Sequence, residues 1–369
     1  MATPPARPAA GPVGRRSLLW GASSVLVWAT GCSNGTTAPS STGTSRSSGP
    51  QTPSTTATPS TSTTSTTATA ATAAPASSAA TSVRPSATLP VAAPWRPGPG
   101  EIEPAAKRSA VALIEALGSW RAGQAGERRA AARAAALGIP AALAGQLASQ
   151  AGSLLGSGDE ASLQVIDAQY GGLLADTASV LVVCRQWSRN GTGAVINGGT
   201  TVDVRLSRTG SGWSVTALHP AVAEPAATSP SAATRAVLAR STIELPPASA
   251  ADIRSGTVHD SVLQAMLRLA DTYRMSVSVV RSGHPLDVFG TSRPSDHPVG
   301  RAFDVWRIDG HPVVDPATPR ALITAFMRAA AAAGSYNVGG PVLLSGGVTS
   351  NQFFSDDTHH DHVHIGFSS

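Results

Sequence analysis

Between residues 101 and 222 the hydrophobic period changes once, and the change divides the segment. Val111, Ile114, Leu117 and Trp120 recur every three residues, the spacing of one helix face. Residues 125–137 are rich in Ala and Arg and also read as helix. Gly138-Ile139-Pro140 breaks that helix, and 140–154 begins another with Pro in its first turn. Beyond this point the period falls to two. Val202, Val204 and Leu206 alternate with Thr201, Asp203 and Arg205, while Trp213, Val215 and Ala217 alternate with Ser214, Thr216 and Leu218. Runs at 163–170 and 173–187 are strand-like. Asn190-Gly191 and Thr209-Gly210-Ser211-Gly212 are turn signals between strands. The pattern predicts helices followed by an antiparallel meander, an α+β domain over 101–222.

A stretch with Pro225 and Pro230 among Ala, Ser and Thr predicts a linker over 223–245. A second α+β domain is expected over 246–369. Val262, Met266, Leu269 and Tyr273 fit one helix face; residues 276–281 and 301–308 read as strands. Asp315-Pro316 leads into a helix over 318–333 closed by Gly334, and 362–367 reads as a last strand. The helix-then-meander order of 101–222 resembles, in pattern only, the helix-plus-curved-sheet domains of the nuclear-transport-factor-like superfamily. No catalytic constellation stands out there. His219 is expected at the surface, and Cys184, inside an apolar run, is expected to be a buried small hydrophobe.

The first hundred residues have a different character. Arg15-Arg16, the apolar run 17–31 and Cys32 make a signal peptide over 1–32. Ala29-Thr30-Gly31-Cys32 resembles a bacterial lipobox, which implies a lipid on Cys32 and a membrane-anchored protein on the extracytoplasmic face of the cell envelope. The Arg pair leaves general and twin-arginine export both open. Of the 56 residues 33–88, 31 are Ser or Thr. Such a chain cannot bury enough apolar surface to offset its conformational entropy, so 33–100 is expected to be a disordered spacer.

Charge placement excludes one class of partner. Residues 1–88 carry five Arg and no acid, leaving 22 basic and 22 acidic residues in 89–369. The folded part is neutral, whereas nucleic-acid binding calls for a basic stripe on a folded domain. No nucleic-acid partner is expected, and a monomer is the default. Lys107 is the only lysine, which reads as codon bias. The cysteines are Cys32 and Cys184, so an internal disulfide framework is not expected.

Eight of the nine histidines lie in 246–369. One group is Ser295-Asp296-His297-Pro298-Val299-Gly300-Arg301-Ala302-Phe303-Asp304; the other is His359-His360-Asp361-His362-Val363-His364-Ile365. Pro298 and Gly300 place His297 in a loop feeding the strand that carries Asp304. In the final strand His362 and His364 project to one face. A loop His, a strand Asp and a second-strand His can converge on one ion, and three N/O ligands with an open position suit catalytic zinc.

Ser-x-His-x-x-Gly-x-Ala-x-Asp followed by a His-x-His strand resembles the zinc D-alanyl-D-alanine carboxypeptidase superfamily, related to lysostaphin-type peptidases and the amino-terminal domain of hedgehog. The resemblance covers about 255–369. It implies Zn²⁺ held by His297, Asp304 and His364, with Arg281 binding or polarising the substrate. The general base is implied three residues before the last ligand, at Asp361, or two before it, at His362; strand parity favours His362, and both stay open. The implied activity is hydrolysis of peptidoglycan stem peptides or cross-links, as carboxypeptidase or endopeptidase. The alternative is a catalytically inactive zinc fold that binds wall or a partner protein.

Overall fold

Helix α1 (Pro104–Gly118) starts with Pro at its first turn and buries Ala110, Val111, Leu113, Ile114 and Leu117 along one face. Lys107 lies on that same buried face. The computed structural model describes residues 88–210 and 212–369. The signal peptide, Cys32 and the spacer up to residue 87 lie outside the described residues. No helix among the described residues is long and apolar enough to cross a membrane.

Helices α2 (Glu127–Ala135) and α3 (Ala141–Gln150) follow, then five antiparallel strands. These are β1 (Glu160–Leu173), β2 (Thr177–Arg189), β3 (Ile196–Gly198), β4 (Thr201–Thr209) and β5 (Gly212–Pro220). The order is β1-β2-β4-β5, with β3 also on β2. Val180, Val182 and Cys184 of β2 join Val202, Val204 and Leu206 of β4 in a core beneath the helices. The intervening Leu181 and Val183 are also fully buried, packed on Val279 from the C-terminal lobe. Both faces of β2 are therefore covered, which is why its sequence is a continuous apolar run.

The second lobe begins earlier than the proline pattern suggests. Residues 223–245, expected as linker, carry α4 (Ala232–Ala239) and β6 (Ile243–Glu244). Ser231 caps α4 by accepting from the Thr234 N–H at 3.0 Å, and Ala233 and Val237 enter the second core. Next come α5 (Pro247–Ser255), α6 (Asp260–Ala270), β7 (Met275–Val277), β8 (Ala302–Ile308), β9 (His311–Pro312) and α7 (Arg320–Ala332). The chain closes with β10 (Asn337–Gly339), β11 (Phe353–Phe354) and β12 (Val363–Gly366). The sheet runs β11-β10-β12-β8-β7-β6, with β9 on β8. The spacer also ends before residue 100. The Ala93 N–H donates to Gln164 Oε1 at 2.7 Å, and Trp95 packs on the first core.

Strand parity places the site. Phe303 and Val305 of β8 and Val363 and Ile365 of β12 point into the second core. Asp304 and His364 must then project from the opposite sheet face, and that face meets the first lobe.

Candidate metal centre

Strands β8 and β12 pair antiparallel with His364 directly opposite Asp304. His297 reaches the same point from the preceding loop. That loop is a tight turn: the Gly300 N–H donates to the His297 carbonyl at 2.8 Å, and the Arg301 N–H to that of Asp296 at 2.9 Å. Gly300 has φ +74°, and a Cβ there would sit 2.3 Å from the Thr257 carbonyl oxygen. Only glycine fits both conditions. Ala302 is fully buried, and Ser295 Oγ accepts from the His297 N–H at 3.4 Å.

Three atoms converge. His297 Nε2 is 3.1 Å from Asp304 Oδ1 and 3.1 Å from His364 Nδ1, and His364 Nδ1 is 3.0 Å from Asp304 Oδ1. His297 Nδ1 lies 2.8 Å from the Val280 carbonyl, which can only accept, so Nδ1 carries the proton and Nε2 offers a lone pair. Burial brings His364 down to about 4, so it is neutral at pH 7. Burial would raise Asp304, but His297 and His362 outweigh it and hold the carboxyl well below the usual range. Three buried side-chain atoms thus lie within 3.1 Å of one another, and a His-His-Asp set of this kind could hold a metal ion.

His284, His297 and Asp304 also bring ligand atoms within 4.8 Å of one another, and these three could hold a metal ion. The His284 ring stacks on His297 with centroids 4.1 Å apart and planes 16° apart. An imidazole binds metal through a lone pair in its ring plane, so two near-parallel stacked rings cannot aim at one ion. The His364 ring is tilted 55° to His297 and can. Ring orientation therefore favours His364 over His284 as the partner of His297 and Asp304.

His362 stands beside this triangle, its Nε2 3.8 Å from Asp304 Oδ2. Its Nδ1 donates to Asp361 Oδ1 at 2.6 Å. Burial alone would lower His362; the Asp304 and Asp361 carboxylates outweigh it and raise it above its ordinary value. Asp361 faces away from the triangle. Its Oδ2 accepts from Lys107 Nζ at 2.6 Å and from the Tyr170 N–H at 3.0 Å. Burial would raise Asp361, but Lys107 and His362 bring it down to about 2. Asp361 is thus fully engaged, and His362 keeps a free Nε2.

A cleft of about 770 Å³ opens on the triangle, lined by His297, His362 and His364, by Arg293 and Phe354, and by the Tyr170–Leu174 end of β1. The structure does not bring Arg281 here. Its Nε donates to the Pro298 carbonyl at 3.0 Å and its Nη1 pairs with Glu224 at 2.8 Å. It lines a separate cavity of about 900 Å³ with Asp203 and Arg205. Of the remaining histidines, His359 lines the cleft against Asp356 at 2.7 Å, and His360 Nε2 donates to the Gly100 carbonyl at 2.7 Å.

Sequence reasoning missed the first lobe's share. Lys107 and Gln169 are buried there, Asp167 is half-buried with Oδ2 enclosed, and all three face the second lobe's site. One signal was present: Lys107 sits one turn before Val111 in the apolar stripe of α1, and a buried lysine demands a buried acid. No family model, curated protein or solved structure matches the chain.

Proposed function

We propose that this protein is a zinc-dependent peptidase of the cell envelope, anchored through Cys32 and acting on peptidoglycan peptides. The observation that carries the reading is the convergence of His297 Nε2, Asp304 Oδ1 and His364 Nδ1 at 3.0–3.1 Å. Zinc bonds of about 2.0–2.2 Å at tetrahedral angles separate donor atoms by roughly 3.3–3.5 Å, so the donors fit with small shifts. Two imidazoles and a carboxylate are a common catalytic zinc set, and no thiol is needed. When bound, zinc supplies Lewis acidity toward a carbonyl and acidifies water.

The chain's own residues supply the rest. His362 is the proton-handling group, through Nε2. Its Nδ1–H bond to Asp361 fixes the tautomer that leaves Nε2 as acceptor. Lys107 keeps Asp361 ionised, so Asp361 orients rather than abstracts. The cleft admits an extended peptide, and Arg293 is the arginine on its wall suited to a substrate carboxylate. Arg281 has no role in this reading. Cleavage either at a C-terminal residue or within a cross-link is compatible with an open cleft.

The test is mass spectrometry of muropeptides incubated with the zinc-loaded full chain. Peptide-bond cleavage that stops on chelation supports the reading. Retention of wall without any cleavage would assign the fold to binding and overturn it.

A further inference from the structure

The two carboxylate oxygens of Asp304 have different neighbours. Oδ1 faces His297 and His364 at 3.1 and 3.0 Å. Oδ2 accepts from Gln169 Nε2 at 2.6 Å. Gln169 does not belong to the histidine-bearing lobe. It lies on β1 of the first lobe, 135 residues earlier, and is 1% exposed.

Its orientation is fixed by its partners. An ionised carboxylate only accepts, so the amide must turn its NH₂ to Asp304. The amide oxygen then needs a donor, and Ser278 Oγ supplies one. Ser278 is fully buried, and its N–H donates to the Asp304 carbonyl at 3.0 Å. The chain Ser278–Gln169–Asp304 thus closes a loop from the Asp304 backbone to its own side chain, through a residue of the other lobe.

Strand β1 is shaped to deliver that amide. A bulge between Val165 and Asp167 shifts its register on β2. Before it Leu163 and Val165 face the first core; after it Ala168 and Tyr170 do. Gln169 therefore points out of that core, toward the second lobe. The next residue's N–H binds Asp361 at 3.0 Å, and the Leu173 N–H binds Thr358 Oγ1 at 3.0 Å. One strand holds both the ligand carboxylate and the segment that leads into His362 and His364.

We infer that the first lobe completes the metal centre, with Gln169 as a positioning residue that occupies Asp304 Oδ2 and leaves Oδ1 as the single oxygen offered to the ion. The inference rests on the metal-site reading above, but not on the reaction assigned to it. Without the amide, Asp304 is free to turn or to offer both oxygens. Outer partners of ligands are commonly worth about 10- to 100-fold in metal affinity.

The test uses the full chain with cobalt(II) as probe, read by its visible absorption and by competition titration. Gln169→Met keeps the bulk of the side chain and removes the donor. The expected result is a 10- to 100-fold weaker cobalt affinity and weaker visible bands, as coordination rises when the carboxylate becomes bidentate. Ser278→Ala, which frees the amide to rotate and also removes an Oγ contact of 3.3 Å to the Asp304 carbonyl, should move both readouts the same way by less. Gln186→Leu is the control: Gln186 lies on β2 and donates to the Gly118 and Leu154 carbonyls, both at 2.8 Å. It should lower melting temperature and leave cobalt affinity and spectrum unchanged.

Wild-type affinity and spectrum in both Gln169→Met and Ser278→Ala would overturn the inference. So would a Gln186→Leu loss matching that of Gln169→Met, because the effect would then be general loosening of the sheet. A wild-type chain that binds no cobalt or zinc would overturn both the metal-site reading and this one. A chain that binds metal but cleaves no muropeptide would remove the peptidase reading alone.

Discussion

Replacing Lys107 with methionine should be among the most damaging single changes in the molecule. Its ammonium lies 2.6 Å from Asp361 Oδ2 and 2.5 Å from Glu101 Oε2, and all three side chains are at most 3% exposed. The Tyr170 ring lies 4.6 Å away. Lys107→Met keeps the apolar stem but leaves two carboxylates buried around an absent cation. Removing one partner of a buried ion pair costs about 3–5 kcal/mol, chiefly the desolvation of the charge left behind. For a folded unit of this size each kcal/mol lowers Tm by about 2–4 °C. The expected fall is roughly 6–20 °C, read by circular dichroism, with a matching drop in the guanidinium midpoint at constant slope. Glu101→Gln in the Lys107→Met background should recover part of it, since one buried charge is then removed. The pH dependence has a definite sign. Asp361 is depressed from 3.8 to about 2, so its contribution is complete above pH 3.8 and disappears as pH falls through 2. Without Lys107 that loss should begin at higher pH. A Tm change under about 2 °C would refute the reasoning, because it is what a solvent-exposed pair would give.

Three further outcomes follow from the same geometry. In zinc-loaded protein His362→Ala should keep its metal and lose about 10²- to 10⁴-fold in turnover, while Asp361→Asn, by spoiling the tautomer, should lose turnover and also stability; metal analysis beside rates separates these from ligand loss. Burial, only partly offset by Lys107, pushes the Asp167 carboxyl from 3.8 up to about 7, so the folded state loses stability as pH rises from 3.8 to 7; Asp167→Asn should raise stability at pH 8 by up to about 4 kcal/mol and hardly at pH 4, and equal gains at both would contradict the burial argument. Arg293→Ala should raise KM for peptides ending in a free carboxylate, whereas Arg281→Ala should leave kcat and KM within about twofold; the reverse pattern in steady-state kinetics would mean that Arg281 turns into the cleft.

The candidate ligands are more legible in the sequence than the architecture. Gly300 is required by its positive φ and the nearby Thr257 carbonyl, and His297 and Asp304 bring their side-chain atoms to one point, so the spacing reflects the geometry. The even parity of Asp304, His362 and His364 against odd apolar neighbours likewise shows which face carries chemistry. Periodicity gave the helix face of α1 and the alternation of β5, where buried and outward positions alternate; β4 alternates in residue type although Thr201 and Asp203 are buried as well. It did not reveal α4, where Pro225 and Pro230 masked a short capped helix. Nor could it say what covers the second face of β2. Gln169 and Asp167 read as ordinary polar positions of a half-exposed strand, since a local pattern records burial but not the partner. Arg281 shows the converse: a residue at a fitting sequence position whose guanidinium is held by the Pro298 carbonyl and Glu224 on the far side of the His297 loop.

The central claim is that His297, Asp304 and His364 hold one catalytic zinc, and stoichiometry tests it most directly. Purified full chain should carry about one zinc by elemental analysis, the number expected of three ligands with an open fourth position. His297→Ala, Asp304→Ala and His364→Ala should each carry almost none while remaining folded by circular dichroism, and His284→Ala should keep the wild-type content. Full zinc in the His364→Ala protein together with its loss in His284→Ala would contradict the account and put the ion on the other side of the His297 ring.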